Sequence, residues 1–306
     1  MDKPVDDLTA LIRADLSLSV DPRISAFAAR IAAGHSGAQG VLFYGSCLRE
    51  NKLDGLMLDF YLIVADYGRA FDKAWLARWN HRLPPNVFYA EHEGLAAKYA
   101  VMDVADFLRD CRGEGRSISV FARFAQPARL VWDGGNPDSI VRAVASAAPT
   151  LLKEARPLLS ANLTVPQLWR ESFALTYAAE LRAERTGRNA GIAEAWPDYY
   201  AGLTRPALRR AQIEFTDNDG ELTLTEPADR AHGKRHWARR RRWGKVISAA
   251  RLVKASATFD GGIDYLAWKI NRHAKTDIEI SAWQRRHPVL AGIGLLPKLI
   301  ASGAVK

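Results

Sequence analysis

The stretch YGSCLRENKLDGLMLDFYLIV, residues 44–64, decides the reading of this chain. It continues the apolar run GVLFY at 40–44, which predicts a buried strand running into Gly45-Ser46. A polar connection of about ten residues follows. The next apolar run, 56–65, predicts a second strand, rich in β-formers. It carries one acid, Asp59, among Leu58, Phe60, Tyr61 and Leu62. Burying a carboxylate there is costly unless it is paired, and a metal ion is one way to pair it. Gly45 lets backbone N–H groups approach a phosphate closely, and Ser46 adds a hydroxyl donor. Taken singly, a Gly-Ser pair is a turn and a strand acid is an edge residue or an ion-pair partner. In this order and spacing they suit metal-assisted nucleotidyl transfer, in which the metal bridges the triphosphate and the reacting phosphorus.

Outward from this stretch, residues 21–34 read as a helix, with Asp21 as N-cap and Pro22 at the first position. Helical pattern covers about 69–82, and Pro84-Pro85 then breaks the chain. Strands are expected at 86–90, 97–102 and 129–132, and a helix at 104–111. From 138 to 156 and from 165 to 188 the period is helical. Residues 213–224, IEFTDNDGELTL, alternate about an Asp-Gly pair and read as a hairpin. The string Asp217-Asn218-Asp219-Gly220 lacks the further acids of a calcium loop and reads as a turn. Helices followed by a hairpin fit a winged-helix-like module. The expected class is therefore α+β, with a nucleotidyltransferase domain at 1–160, a helical, winged-helix-like domain at 161–229 and a basic amphipathic segment at 230–306.

At 306 residues, 48% hydrophobic and 25% charged, the chain has ordinary globular composition. Two cysteines, Cys47 and Cys111, are too few for a disulfide framework or a cysteine-only metal site. The acidic, polar residues 1–7 do not resemble a secretory leader. The net charge of +9 is not spread evenly: residues 230–259 hold ten Lys/Arg and no acid, leaving 33 bases against 34 acids elsewhere. A field so localised points to a polyanion, either nucleic acid or an anionic membrane surface.

A Gly-Ser turn beside a strand carboxylate is the arrangement of polymerase-beta-like nucleotidyltransferases. Those enzymes place a second acid two residues after the first. Here Tyr61 stands there, and Asp103 is the nearest candidate for a later acid. One carboxylate suits a single-metal site, or a substrate needing no deprotonation. A phosphate monoester is such a substrate, since its second pKa is about 6. A ribose hydroxyl would want a base.

A series of stretches carries a closer resemblance: Tyr44-Gly45-Ser46-Cys47, Met57-Leu58-Asp59-Phe60, Val87-Phe88-Tyr89-Ala90, Lys98-Tyr99-Ala100-Val101 with Asp106 and Asp110 after it, the segment 121–127 around Arg123, and the segment 175–182 ending in Arg182. In this order, over about 42–188, they resemble the mitochondrial-type phosphatidate cytidylyltransferases, the translocator assembly and maintenance proteins. That resemblance implies synthesis of CDP-diacylglycerol from CTP and phosphatidic acid with Mg²⁺. It implies that Asp59 holds the metal and, with Lys98, is catalytic. Tyr44, Gly45, Ser46, Arg49 and Arg123 would take the nucleotide, and Arg182 the acceptor phosphate. Cys47 and Ala100 stand where the family has glycines, which narrows the room near the phosphates. Plainer alternatives stay open: Lys98 as a solvent-facing strand lysine, Arg123 as the partner of an acid in the helix after Asp103, Asp54 as a turn, and Arg49 and Arg182 as surface charges.

In the basic segment, Trp237, Arg239, Arg240, Arg241, Arg242 and Trp243 interleave arginine with tryptophan. This suits a membrane interface, with indoles at headgroup level and guanidinium groups on lipid phosphates. The same mixture suits a nucleic-acid backbone or a solvated helix face. Residues 289–300 are apolar but too few to span a bilayer, and would lie in the interface. The expectation is a cytoplasmic enzyme held peripherally on the inner face of a membrane. Its rivals are a nucleotidyltransferase with another acceptor and a nucleic-acid-binding adaptor on a degenerate transferase fold.

Overall fold

The structure, a computed structural model, describes residues 7–50, 52–53, 56–179, 191–258, 263–264, 267, 271 and 277–301. It is α+β. In chain order the elements are α1 (Asp7–Leu16), α2 (Pro22–Ala33), β1 (Ala38–Tyr44), α3 (Ser46–Glu50), β2 (Met57–Val64), α4 (Tyr67–Ala70), α5 (Ala74–Arg82), β3 (Asn86–His92), β4 (Leu95–Asp103), α6 (Val104–Cys111), α7 (Ser119–Phe124), β5 (Arg129–Asp133) and α8 (Asp138–Ala155). There follow β6 (Asn162–Thr164), α9 (Val165–Ala178), α10 (Gly191–Glu194), α11 (Pro197–Arg210), β7 (Phe215–Asn218), β8 (Glu221–Leu224), α12 (Arg230–Thr258), α13 (Ala282–Arg286) and α14 (Pro288–Ala301).

The main sheet has five strands in the order β3-β4-β2-β1-β5. It is mixed: β2 runs parallel to β4, and the other neighbours are antiparallel. The parallel pair needs a long crossover, which α4, α5 and β3 supply. Alternation along the strands sends side chains to two cores. Val41, Phe43, Leu58, Phe60 and Leu62 pack under α2, while Leu42, Tyr61, Ile63 and Met102 pack against residues of α6, α7 and α8.

Several local expectations hold. Asp21 caps α2, its carboxylate accepting from the Arg23 N–H at 2.9 Å. The helix expected from 165 starts there, behind a capping box of Thr164 and Gln167 that was not anticipated. The hairpin forms between β7 and β8, with positive φ at both Asp219 and Gly220, as a two-residue hairpin turn requires. β8 also pairs with β6, giving a second, three-stranded sheet in the order β6-β8-β7.

Others change. The helix expected over 69–82 is two helices, α4 and α5. The helix expected over 165–188 runs to Ala178, and 180–190 lies outside the described residues. Helix α1 was not anticipated; it buries Leu8, Ile12 and Leu16 against the main core. That core does not stop at residue 160. Phe121 and Leu152 share it with Trp169, Leu203, Leu222 and Trp237, so the two expected boundaries are boundaries in sequence and not in packing.

Candidate active site

The turn at Gly45 is built for closeness. Its φ is +94°, a conformation side chains rarely adopt, and a methyl group added there would come within 2.8 Å of Asp59 Oδ2. Asp59 is so close because Tyr44, the last residue of β1, is its register partner on β2. Helix α3 begins at once with Ser46, replacing the expected loop with a little over one helical turn. The site therefore has a left-handed glycine, a hydroxyl and a carboxylate within one strand end.

On its other side β2 meets β4, and Asp59 falls opposite Lys98. The Lys98 Nζ lies 3.1 Å from Asp59 Oδ1. The carboxylate's counter-charge is thus a lysine of the neighbouring strand. The ammonium is 45% exposed and the carboxylate 15%. The pair is open to solvent on one side, where an ammonium can turn toward a second anion.

Arg123, on α7, reaches the same face of the sheet. Its Nη1 donates to the Tyr61 hydroxyl at 3.2 Å. The guanidinium carbon lies 5.0 Å from the centre of the Tyr44 ring and 5.6 Å from that of Tyr61. Tyr61 is two residues beyond Asp59 and so faces the same way. Sequence reading met Tyr61 only as an absent second acid. The informative signal was its phenol, a hydrogen-bonding group inside an apolar strand.

Arg49 sits near the end of α3 with a 4.0 Å approach to Glu50. Asp54 and Arg182 lie outside the described residues.

Three expectations are corrected here. Asp103 is not a later acid of the site: it caps α6, accepting from the Asp106 N–H at 2.7 Å. It pairs with Val64, five residues along from the Asp59–Lys98 pair, or roughly 16 Å at about 3.3 Å per residue. Asp106 and Asp110 turn away as well. Asp106 accepts from the Tyr67 hydroxyl at 2.9 Å and pairs with Arg109 at 2.8 Å. Asp110 is buried, and burial pushes its carboxyl up to about 6 despite nearby Arg251 and Arg109. Cys47 does not crowd the phosphate side: its thiol packs into the core under α2 and donates to the Met57 carbonyl at 3.3 Å. Burial, then the charge of Asp59, pushes it up to about 11, so it stays a thiol at neutral pH.

Among the described residues no group of three or more His, Cys, Asp or Glu converges to hold a metal ion. Among the described residues Asp59 is the carboxylate that lies against the Gly45 turn. One carboxylate together with substrate phosphates is within the usual manner of Mg²⁺ binding, so the residues fit that ion as a companion of a bound triphosphate.

The basic run divides. Trp237 is 3% exposed and joins the main core. Arg240 pairs with Glu154 at 3.3 Å, donates to the Gly113 carbonyl and lies over the Phe121 ring. These two therefore face the protein, correcting the expectation that all of Trp237–Trp243 meets lipid. Arg230, Arg251 and Lys254 also point inward, Arg251 donating to both Ser117 and Ser119 at 2.9 Å. The other six bases, Lys234, Arg235, Arg239, Arg241, Arg242 and Lys245, are exposed. Trp243, 54% exposed, stands among them with Val246. Leu290 and Ile293 of α14 are exposed too. No helix among the described residues is long and apolar enough to cross a membrane.

No protein-family model matches the chain, and neither does any curated protein. Among solved structures, a nucleotidyltransferase-like protein from Exiguobacterium sibiricum is similar over 91% of this chain and 90% of its own, with 9% identity and a TM-score of 0.25. A likeness of that size carries no argument about fold or function.

Proposed function

We propose that this protein is a nucleotidyltransferase, and specifically a phosphatidate cytidylyltransferase that transfers CMP from CTP to phosphatidic acid. The observation that carries the reading is the convergence of the Gly45-Ser46 turn, the Asp59–Lys98 pair and Arg123 on one end of one sheet face. Gly45 and Ser46 present N–H and O–H donors to the triphosphate. Lys98 and Arg123 offset the repulsion between two polyanions, nucleotide and acceptor. An oxygen of the lipid phosphate bonds to the α-phosphorus of CTP, the bond from that phosphorus to the β-bridging oxygen breaks, and pyrophosphate leaves. The attacking phosphate is already anionic near neutral pH, so no protein base is required. Mg²⁺, when bound by Asp59 and the substrate phosphates, supplies further charge neutralisation at the reacting phosphorus.

The lipid acceptor is supported by the exposed bases of α12 with Trp243 among them, which suit an anionic surface. The test is pyrophosphate release from CTP and Mg²⁺ with vesicles of phosphatidic acid or of phosphatidylcholine. Release with phosphatidic acid alone is expected. CTP binding without release on either vesicle would move the acceptor elsewhere. No CTP binding, with salt-sensitive binding to duplex DNA, would favour the nucleic-acid adaptor.

A further inference from the structure

We propose that Tyr61 is a positioning residue for Arg123, holding its guanidinium at the strand end beside Asp59, where it meets the phosphates of a bound nucleotide. The inference rests on the nucleotidyltransferase reading and adds a residue to it.

The geometry is specific. Tyr61 is 1% exposed, so its ring is fixed by packing between Phe107 and Phe124. Its hydroxyl accepts from Arg123 Nη1 at 3.2 Å, and its ring stands 5.6 Å under the guanidinium carbon. Tyr44, the register partner of Asp59, lies on the same guanidinium at 5.0 Å and against the Tyr61 ring at 5.6 Å. The two phenols thus fix a cation beside the only described carboxylate at the strand end. Fixing a planar guanidinium before substrate arrives lowers the ordering cost of each hydrogen bond it then makes.

The choice of phenol over carboxylate has a consequence. A carboxylate at 61 would pair with Arg123 and cancel its charge. A phenol accepts the hydrogen bond and carries no charge of its own. Tyr61 therefore orients the guanidinium without adding an anion beside the Asp59–Lys98 pair.

The test is a double-mutant cycle read by calorimetric titration of CTP and of inorganic pyrophosphate, in Mg²⁺. Tyr61→Phe keeps the ring and removes only the hydroxyl. It is expected to weaken both ligands about tenfold, the scale of one charge-assisted hydrogen bond's orientation. Arg123→Gln is expected to weaken them at least as much, and the double variant no more than Arg123→Gln alone. Additive losses would show that Tyr61 acts by itself or through the fold, and would overturn the proposal. Tyr44→Leu removes the other ring that lies on the same guanidinium and should be equally non-additive with Arg123→Gln. Failure of wild-type protein to bind CTP or pyrophosphate would remove the underlying reading and this one together; binding with an additive cycle removes this one alone.

Discussion

Gly45 meets two demands at once, a left-handed backbone and a neighbour too close for a side chain. Gly45→Ala is expected to lower stability by at least about 1 kcal/mol, the usual penalty for a side chain in that region. It should also displace Asp59, so CTP affinity should fall more than stability does; chemical denaturation and calorimetry on the same variant separate the two. Gly45, Ser46 and Asp59 were legible in sequence, because a glycine after an apolar run and an acid inside one are both locally anomalous. The Asp59–Lys98 contact was not, except by resemblance. It depends on the register of two parallel strands whose connection spans two helices and a third strand, and nothing local encodes that register.

At the scale of the element, α12 is the instructive case. Its inward positions are Trp237, Arg240, Gly244, Ile247, Arg251, Lys254 and Thr258, spaced alternately by three and four. That is the stripe of a helix packed along one side. Hydropathy hides it, because half the stripe is polar and meets carbonyls, hydroxyls or Glu154 in place of apolar side chains. Gly244 marks the contact as tight, since a Cβ there would strike the Ala179 carbonyl. Two tryptophans six positions apart therefore have opposite roles. Trp237→Ala should destabilise the protein by about 3–5 kcal/mol. Trp243→Ala should leave the melting temperature within about 1–2 °C and weaken binding to anionic vesicles, since a surface change of this kind lies within about 0.5 kcal/mol. Equal thermal effects would refute the division.

Lys254 gives the same helix a pH signature. Its Nζ donates to the Leu83 and Pro85 carbonyls, the latter at 2.8 Å. Burial, and then the charge of Arg251, brings it down to about 7. The unfolded chain then binds a proton that the folded chain lacks between that value and the ordinary 10.5, so this group's contribution to stability rises with pH across the window. The slope is up to about 1.4 kcal/mol per pH unit. Denaturant titrations at pH 7.5 and 9.0 should show a steeper rise in wild-type protein than in Lys254→Met. Parallel lines would contradict the assignment.

For the molecule as a whole, the fold class and the strand-rich first half were legible, since apolar runs bounded by turn residues mark strands directly. The domain division was less so. Composition changes at 230, but the core does not, because Trp237 reaches into it. Truncation after residue 226 would remove part of that core along with the basic surface, so loss of vesicle binding on truncation would say nothing about lipid. The discriminating change is confined to the six exposed bases. Arg239→Glu with Arg242→Glu should leave folding intact and abolish binding to vesicles containing phosphatidic acid. The wild-type interaction should fade as salt rises from about 0.05 to 0.5 M, as screening shortens the reach of exposed charge. Binding insensitive to both would place the membrane contact on the apolar residues of α14 alone.

The central claim is that the face shared by Gly45, Asp59, Lys98 and Arg123 transfers a nucleotidyl group to a lipid phosphate. The most direct measurement follows label from α-³²P-CTP, with Mg²⁺ and phosphatidic-acid vesicles, into the lipid phase. Wild-type protein is predicted to put label there, and folded Asp59→Asn to reduce it by at least about a hundredfold, or about 2.7 kcal/mol of barrier. Label that enters lipid equally well with Asp59→Asn, or that never enters lipid while CTP is bound, would contradict the account.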